Sequence, residues 1–437
     1  MRALARYFRF GEVGTDFRRE VVGGVTTFVT MAYIVAVNPG ILSEALGQDL
    51  FQELLFATCV SSAVATLIMG LVANYPFALA PGMGLNAFFA YTVVLGMGVR
   101  WDLALGVVLA SGILFTLLSV IRVREAIITA VPDALKHATA AGIGLFIAFI
   151  GLKNAGIVTG NAATLVALGE LRSAPVGLAF LGVVGIGVLL VRRVKGGILL
   201  GVLGVTLLAI FLGVTPPPKG IFSLPVWPAR LFGTAVVHLP TAFDVALIGT
   251  VFAFLFVDLF DTMGTLVGLS ERAGFLDGEG RLPRANRALL ADSLGTMVGA
   301  IFGTSTVTSY IESASGISEG ARTGFASVVT GVLFLLALFL TPLVAAIPSF
   351  ATAPALIVVG VLMMASVTRV NWEDLSDALP AFVTVVAIPL TFSIANGVAL
   401  GFVAFPIVKR LGGRGQEVHP LVDLLAVVFI ARYLFMD

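Results

Sequence analysis

Between Gly303 and Gly320 the chain reads TSTVTSYIESASGISE, a polar stretch that carries the carboxylate Glu312. The apolar runs ALLADSLGTMVGAIF and FASVVTGVLFLLALFLTPLVAAI flank it. At membrane depth such a β-prone segment cannot face lipid, because each unpaired backbone group there costs several kcal/mol. It must line a cavity or pack inside protein.

The composition supports the membrane setting. Of 437 residues, 58% are hydrophobic and 12% charged, and the mean hydropathy is +1.06. Soluble domains carry about 25% charged residues, so the pattern is that of a polytopic membrane protein. A net charge of +1 and the lack of a basic stripe give no reason to expect a nucleic-acid partner. A lone Cys59 excludes an intrachain disulfide, and His137, His238 and His419 lack ligand spacing, so no metal site is expected. The N-terminus, MRALARYFRFGEVGTDFRRE, reads as a cytoplasmic amphipathic lead-in and not as a signal peptide.

A spanning helix needs roughly 20 mostly apolar residues. On that basis the sequence divides into about fourteen segments, beginning near 21–41 and ending near 395–411. The third covers 78–98, the eighth 244–268 and the tenth 304–320. Segments 13 and 14 (379–394 and 395–411) are short, and Pro380, Pro389 and Pro406 threaten to break them. A further apolar stretch, 421–435, is expected to be an interfacial helix. With a cytoplasmic N-terminus, the loops after even-numbered segments should be rich in Lys and Arg. Only Arg100, Lys153, Arg172, Lys219 and Arg230 fall on the other side, which leaves 21 of the 26 basic residues inside. Among those 21 are Arg122, Arg124 and Arg281. Both termini are therefore expected in the cytoplasm of a multi-pass inner (plasma) membrane protein.

Seven segments precede the 215–243 loop and seven follow it. An odd number per half inverts the second half, the plan of many secondary transporters. The expected division is a first repeat, 1–214, an external connecting loop, 215–243, a second repeat, 244–411, and a cytoplasmic or interfacial tail, 412–437. The interrupted segments occupy matching places: FALAPGMGLNAFFAY in the third and TSTVTSYIESASG in the tenth. Asn86 and Glu312 lie 226 positions apart, about half the chain. Paired interruptions of this kind point to a transporter's binding site.

Ionisable groups within spans are costly and mark function by default. Asp258, Asp261, Asp292 and Glu312 qualify. Asp258 and Asp261 share a helical face, and Thr265 lies one turn beyond Asp261. A carboxylate in a poorly hydrated cavity can exchange a proton near neutral pH, and it also accepts hydrogen bonds from N–H groups of a planar heterocycle. Asp292, beside Ser293 and Thr296, equally suits a brace for the broken segment. Asn86 suits either a helix cap or a ligand contact. Thr26, Thr27 and Thr30 either bond back to their own helix or reach ligand. Phe88 and Phe89 either stack on an aromatic substrate or face lipid. If each broken segment is extended backbone followed by a half-helix, two helix N-termini offer N–H donors to a ligand's acceptors. Donors and carboxylate acceptors together match a purine or pyrimidine edge.

Several long runs resemble one family from end to end. REVVGGVTTFVTMAYIVAVNPGIL, FALAPGMGLNAFFAYTVV, LFVDLFDTMGTLVG, TSTVTSYIESASGISEGARTG and PAFVTVVAIPLTFSIANGVALGF are similar to the nucleobase–cation symporters, in particular the AzgA-like purine permeases. The resemblance implies an all-α fold of fourteen segments in two inverted repeats of seven, divided into core and gate domains. It implies short antiparallel strands in segments 3 and 10. It also implies import of adenine, guanine or hypoxanthine by proton symport, a homodimer, no enzymatic activity, and no cofactor beyond the proton. By position, the family's substrate and proton acids fall on Asp261 and Glu312, and its third-segment asparagine falls on Asn86. Ala87, Ile311 and Thr27 complete the expected substrate set. Asp377, in SDALPAFVT, matches another position of the family, although its own surroundings read as a cytoplasmic loop. Thr265 stands where uracil permeases carry a histidine, which argues against uracil.

Other readings are a uniporter, a carrier of xanthine or uracil, a sulfate-type anion transporter and an intramembrane aspartyl protease. Glu312 would repel an anion, and no second catalytic aspartate has a recognisable setting.

Overall fold

The structure, a computed structural model, describes residues 2–120, 130–278 and 282–435. Arg122, Arg124 and Arg281 of the charge count lie outside them.

Helix α1 (Phe17–Met31) begins at Asp16, whose carboxylate accepts the Arg19 N–H. It ends at a short break over Ala32 and Tyr33 before α2 (Ile34–Leu46). Helix α3 (Phe51–Ile68) leads into strand β1 (Leu79–Pro81) and helix α4 (Met83–Ala87), which continues as wide π-helical turns to Gly96. Helices α5 (Trp101–Val120), α6 (Asp133–Asn154), α7 (Ala174–Val191) and α8 (Gly197–Phe211) complete the first half. The second half runs α9 (Val245–Ala273), α10 (Ala285–Phe302), β4 and α11 (Ser313–Ser318), then α12 (Gly324–Ala337), α13 (Ser349–Met364), α14 (Leu375–Leu390) and α15 (Ile394–Leu411). Strand β4 is Val307–Ser309. Strands β2 (Val158–Asn161) and β3 (Leu165–Leu168) form a separate hairpin between α6 and α7.

The packing repeats itself between the halves. Helix α3 packs on α12 as α10 packs on α5, and α1 on α12 as α9 on α5. Likewise α7 packs on α8 and α13 as α14 packs on α15 and α6. Helices α1–α5 and α9–α12 thus form one packed group, and α6–α8 with α13–α15 another.

Strands β1 and β4 meet in the middle of the first group. They pair antiparallel, Leu79 with Ser309, Ala80 with Thr308 and Pro81 with Val307. Flanking bonds from Gly82 N–H to the Thr306 carbonyl (3.0 Å) and from Tyr310 N–H to the Ala78 carbonyl (2.9 Å) extend the ladder. A two-stranded sheet leaves two outer edges, and buried edges must be satisfied. Thr66 of α3 donates to the Leu79 carbonyl at 3.0 Å and accepts its N–H at 2.9 Å. Thr296 of α10 does the same for Val307, at 3.0 and 3.2 Å.

Some expectations need correction. Among the described residues nine helices are long and apolar enough to cross a membrane, with four shorter apolar ones. The difference from fourteen arises where segments are broken, short or polar: α11 has 6 residues, and α10 carries Asn286, Arg287 and Asp292. Pro380, Pro389 and Pro406 lie inside intact helices, and α14 and α15 pack against each other. The C-terminal helix α16 (Pro420–Phe435) does not lie apart from the bundle. Arg410 Nε reaches Asp423 at 3.0 Å, and Tyr433 Oη donates to Asn396 Oδ1 at 3.1 Å, so α16 runs antiparallel along α15.

Candidate functional site

Extended backbone turns into helix on both sides of the strand pair. Gly82 is the N-cap of α4, and a Cβ there would lie 2.7 Å from Thr308 Cγ2 and 3.9 Å from Asp261 Oδ2. Only glycine lets β1, β4 and α9 approach this closely. The N–H groups of Met83 and Gly84, in the first turn of α4, have no partner among the described residues. At α11 the first-turn N–H groups are used locally: Ser313, Ala314 and Ser315 bond to the carbonyls of Tyr310, Ile311 and Glu312. One free helix N-terminus therefore faces the site, where two were expected.

Asp261 is half-buried on α9, and no described residue donates to its carboxylate. It lies close enough to Glu312 for the two charges to repel. Glu312 is half-buried at the start of α11, with Oε1 accepting from Tyr33 Oη at 2.6 Å. The Tyr33 side chain is wholly buried at the α1–α2 break. Tyr310, also buried, donates to the Pro81 carbonyl at 2.6 Å and ties β4 to β1. Ile311 is 44% exposed, unusual for an isoleucine beside a buried strand. Gly264 is exposed and Thr265 half-buried on the same stretch of α9. Around the strand pair, then, stand two carboxylate acceptors, the free backbone donors of α4 and the part-exposed apolar side chain of Ile311.

Behind the strands lies a second polar layer. Asp292 Oδ2 accepts from Thr262 Oγ1 at 2.7 Å, and its Oδ1 accepts from Ser309 Oγ at 3.1 Å. Thr262 also meets Thr308 Oγ1 at 2.8 Å. Asp258 Oδ2 accepts from Thr296 Oγ1 at 3.0 Å, while its buried Oδ1 has no partner. This arrangement fits the brace alternative for Asp292.

Three expected site residues are buried. Asn86 is fully buried inside α4, not at its cap; Ser305 Oγ donates to its Oδ1, and its Nδ2 has no partner. Ala87 is 1% exposed within the same helix. Thr27 is buried where α1 crosses α11 so closely that a Cβ on Gly316 would sit 2.2 Å from Thr27 Oγ1. Thr30 bonds back to the carbonyls of Thr26 and Thr27 at 2.7 and 2.9 Å. Phe88 and Phe89 are buried against Phe254, not lipid-facing. Phe88 also lines a cavity of about 260 Å³ with Tyr91, Thr92, Phe392 and Asn396. Asp377 lies in the first turn of α14, not in a loop, 2.9 Å from Lys409 Nζ.

Sequence reasoning missed Tyr33, whose proximity to Glu312 spans 279 positions. It also missed Glu20, which is buried and accepts the N–H groups of Arg322 (2.9 Å), Thr323 (3.3 Å) and Ala326 (3.2 Å) at the start of α12. An acid at the head of the apolar run EVVGGVTTFV was the available signal for Glu20.

The Permease family model, Xan_ur_permease, matches residues 18–400. The guanine/hypoxanthine permease PbuG of Bacillus subtilis (strain 168) is 48% identical, over 99% of this chain and 100% of that one. The adenine permease AdeP of Escherichia coli (strain K12) is 45% identical, over 99% of this chain and 96% of its own. Among solved structures, the transmembrane domain of a cyanobacterium bicarbonate transporter, BicA, superposes with a TM-score of 0.64 at 19% identity, covering 88% of this chain and 98% of that one. At that identity the likeness shows the fold alone, a 7+7 inverted repeat.

Proposed function

This chain belongs to the Xan_ur_permease family of permeases, and from that premise we propose that it carries the purine bases adenine, guanine or hypoxanthine across the membrane. It is a multi-pass membrane transporter and not an enzyme. The observation that carries the substrate reading is the proximity of Asp261 to Glu312, beside the free N–H groups of α4; in this reading they line one cleft. A purine presents ring N–H donors and, at its carbonyl or ring nitrogens, acceptors. The carboxylates take the donors, and Met83 and Gly84 supply N–H groups to the acceptors. Tyr33 fixes the Glu312 carboxylate before the base arrives, which lowers the ordering cost of binding. Ile311 offers an apolar face to the ring. An anion would meet two negative charges here, which disfavours a bicarbonate- or sulfate-type cargo despite the shared fold.

In this reading α1–α5 and α9–α12 are the core that holds the base, and α6–α8 with α13–α15 are the gate. The residue division is 1–214, 215–243, 244–411 and 412–437. Rocking of one group against the other exposes the cleft to alternate sides. One proton taken up at Asp261 or Glu312 relieves the repulsion between them, which would couple import to the proton gradient. Asn86 and Thr27 act from behind, by holding the strand segment and α11. Asp258, Asp292 and Thr265 are accessory, and the protein works as a homodimer through its gate. The N-terminus and the Lys409 end of α15 lie in the cytoplasm. Helix α16 runs back along α15, which brings Tyr433 to Asn396 at the other end of that helix.

The test is uptake of radiolabelled hypoxanthine, guanine and adenine by cells lacking their own permeases, with and without a protonophore. Glu312→Gln and Asp261→Asn should each abolish most uptake. Absence of uptake of every purine by the wild type overturns the function. Wild-type rates in both variants overturn the site, and protonophore-resistant accumulation removes the proton coupling alone.

A further inference from the structure

Lys409 stands in the last turn of α15, and its side chain is only 2% exposed. Its Nζ lies 2.9 Å from Asp377 Oδ1, 2.8 Å from Glu417 Oε2 and 3.8 Å from Asp374 Oδ2. Arg414 closes the cluster: its Nε meets Glu417 Oε1 at 2.6 Å, and its guanidinium pairs with Asp374 and reaches Ser376 Oγ at 3.1 Å. Asp374 meanwhile caps α14 by accepting the Ser376 N–H at 3.0 Å. Three carboxylates thus surround two cations, drawn from the start of α14, the end of α15 and the tail turn Gly415–Glu417.

A buried ammonium is tolerated only when paired, and removing one partner is far costlier than removing a balanced pair. The cluster sits at the open end of the α14–α15 hairpin; the chain itself joins the two helices at the other end, over Thr391–Ser393. Without the cluster, a push on α14 would splay the hairpin instead of moving it as a body. Asp377 faces this cluster, and α14 packs on α6 and α15.

We propose that Lys409 is a positioning residue for transport: it welds α14, α15 and the tail into one rigid body, and Asp377 acts through it and not by touching the base. The inference rests on the transport reading, and its test separates the two. Uptake kinetics are compared for K409M, D377N, K409M/D377N and K409M/E417Q, alongside tryptic cleavage after Arg410 and Arg414 in detergent-solubilised protein. K409M should lower the maximal uptake rate roughly tenfold, the size of one strong pair coupling, with KM for hypoxanthine little changed. Its tail should be cut faster than that of the wild type. Either double variant restores the wild-type charge balance of the cluster and with it the folded yield, but it lacks the Lys409 bridge, so its rate and cleavage resistance should stay as low as those of K409M. If K409M does not fold, D377N and the double variants decide. A raised KM or a changed purine preference in D377N, wild-type rate and cleavage resistance in either double variant, or tail cleavage the same in every variant, would each overturn the proposal. If the wild type takes up no purine, the function fails, while the cleavage comparison still decides whether Lys409 holds the tail.

Discussion

Tyr33 Oη donates to Glu312 Oε1 at 2.6 Å, joining the α1–α2 break to the start of α11. The two residues come from opposite halves of the chain, so the pair forms only when the repeats interlock. Its hydroxyl orients the carboxylate that faces the cleft. Removing that O–H while keeping the ring should weaken base binding by about 1.5–3 kcal/mol, the range for a hydrogen bond to a charged group. Tyr33→Phe is therefore expected to raise KM for hypoxanthine about tenfold or more with little change in the amount of folded protein. Concentration-dependent uptake normalised to membrane protein checks it.

Gly82 stands where α9 meets the strand pair. A methyl group there would overlap Thr308 Cγ2, and overpacking of this sort costs typically about 1–3 kcal/mol. Gly82→Ala should depress both thermal stability and uptake. A Gly82→Ala/Thr308→Ser double variant, which removes the clashing methyl, should regain part of both.

Thr66 and Thr296 satisfy the outer edges of β1 and β4 in the same reciprocal way. Thr66→Val or Thr296→Val keeps the shape and orphans a buried N–H and carbonyl. Each unsatisfied group costs about 1–3 kcal/mol. Thr296→Val should be the worse of the two, because it also strips Asp258 of its donor. Thermal unfolding in detergent, followed by size-exclusion chromatography, would show the order; equal midpoints for Thr296→Val and wild type would refute it.

Outside the membrane, hydrogen bonds from Ser376 and Arg414 hold the Asp374 carboxyl well below its usual range. Lys409 and Arg414 lower the Glu417 carboxyl as well. A depressed folded-state pKa contributes stability that is present above the unfolded value and lost as pH falls through the folded one. The tail should therefore stay attached at pH 5–7 and loosen only below about pH 4, where free carboxyls begin to protonate. A spin label on a cysteine placed at Gly413 would report it, since the natural Cys59 is buried. Loosening already at pH 6 would contradict this account.

Helix α16 runs beside α15, and if both cross the membrane its end lies on the outer face. A cysteine at Leu434 should react with an impermeant thiol reagent added to intact cells. Labelling only after the membrane is permeabilised would restore a cytoplasmic C-terminus.

Much of this was legible in the residues. Hydropathy set the membrane class, and the polar run at Glu312 announced a broken segment because lipid cannot satisfy it. Asp261 and Glu312 stood out as acids within spans, and the structure places them near enough to interact. Asn86 and Thr27 carried the same polar signal and are buried. Residue type records that a polar group needs a partner, not whether that partner is a ligand or Ser305.

The sequence by itself determined the membrane class, the paired interruptions half a chain apart and the family, since these depend on local hydropathy and on motif order. Only the tertiary structure decided that Tyr33 orients Glu312, that Thr66 and Thr296 close the strand edges, and that Asp377 belongs to Lys409. Each of those contacts is made by side chains from distant segments, and its existence depends on ångström-scale approach that neither composition nor spacing encodes.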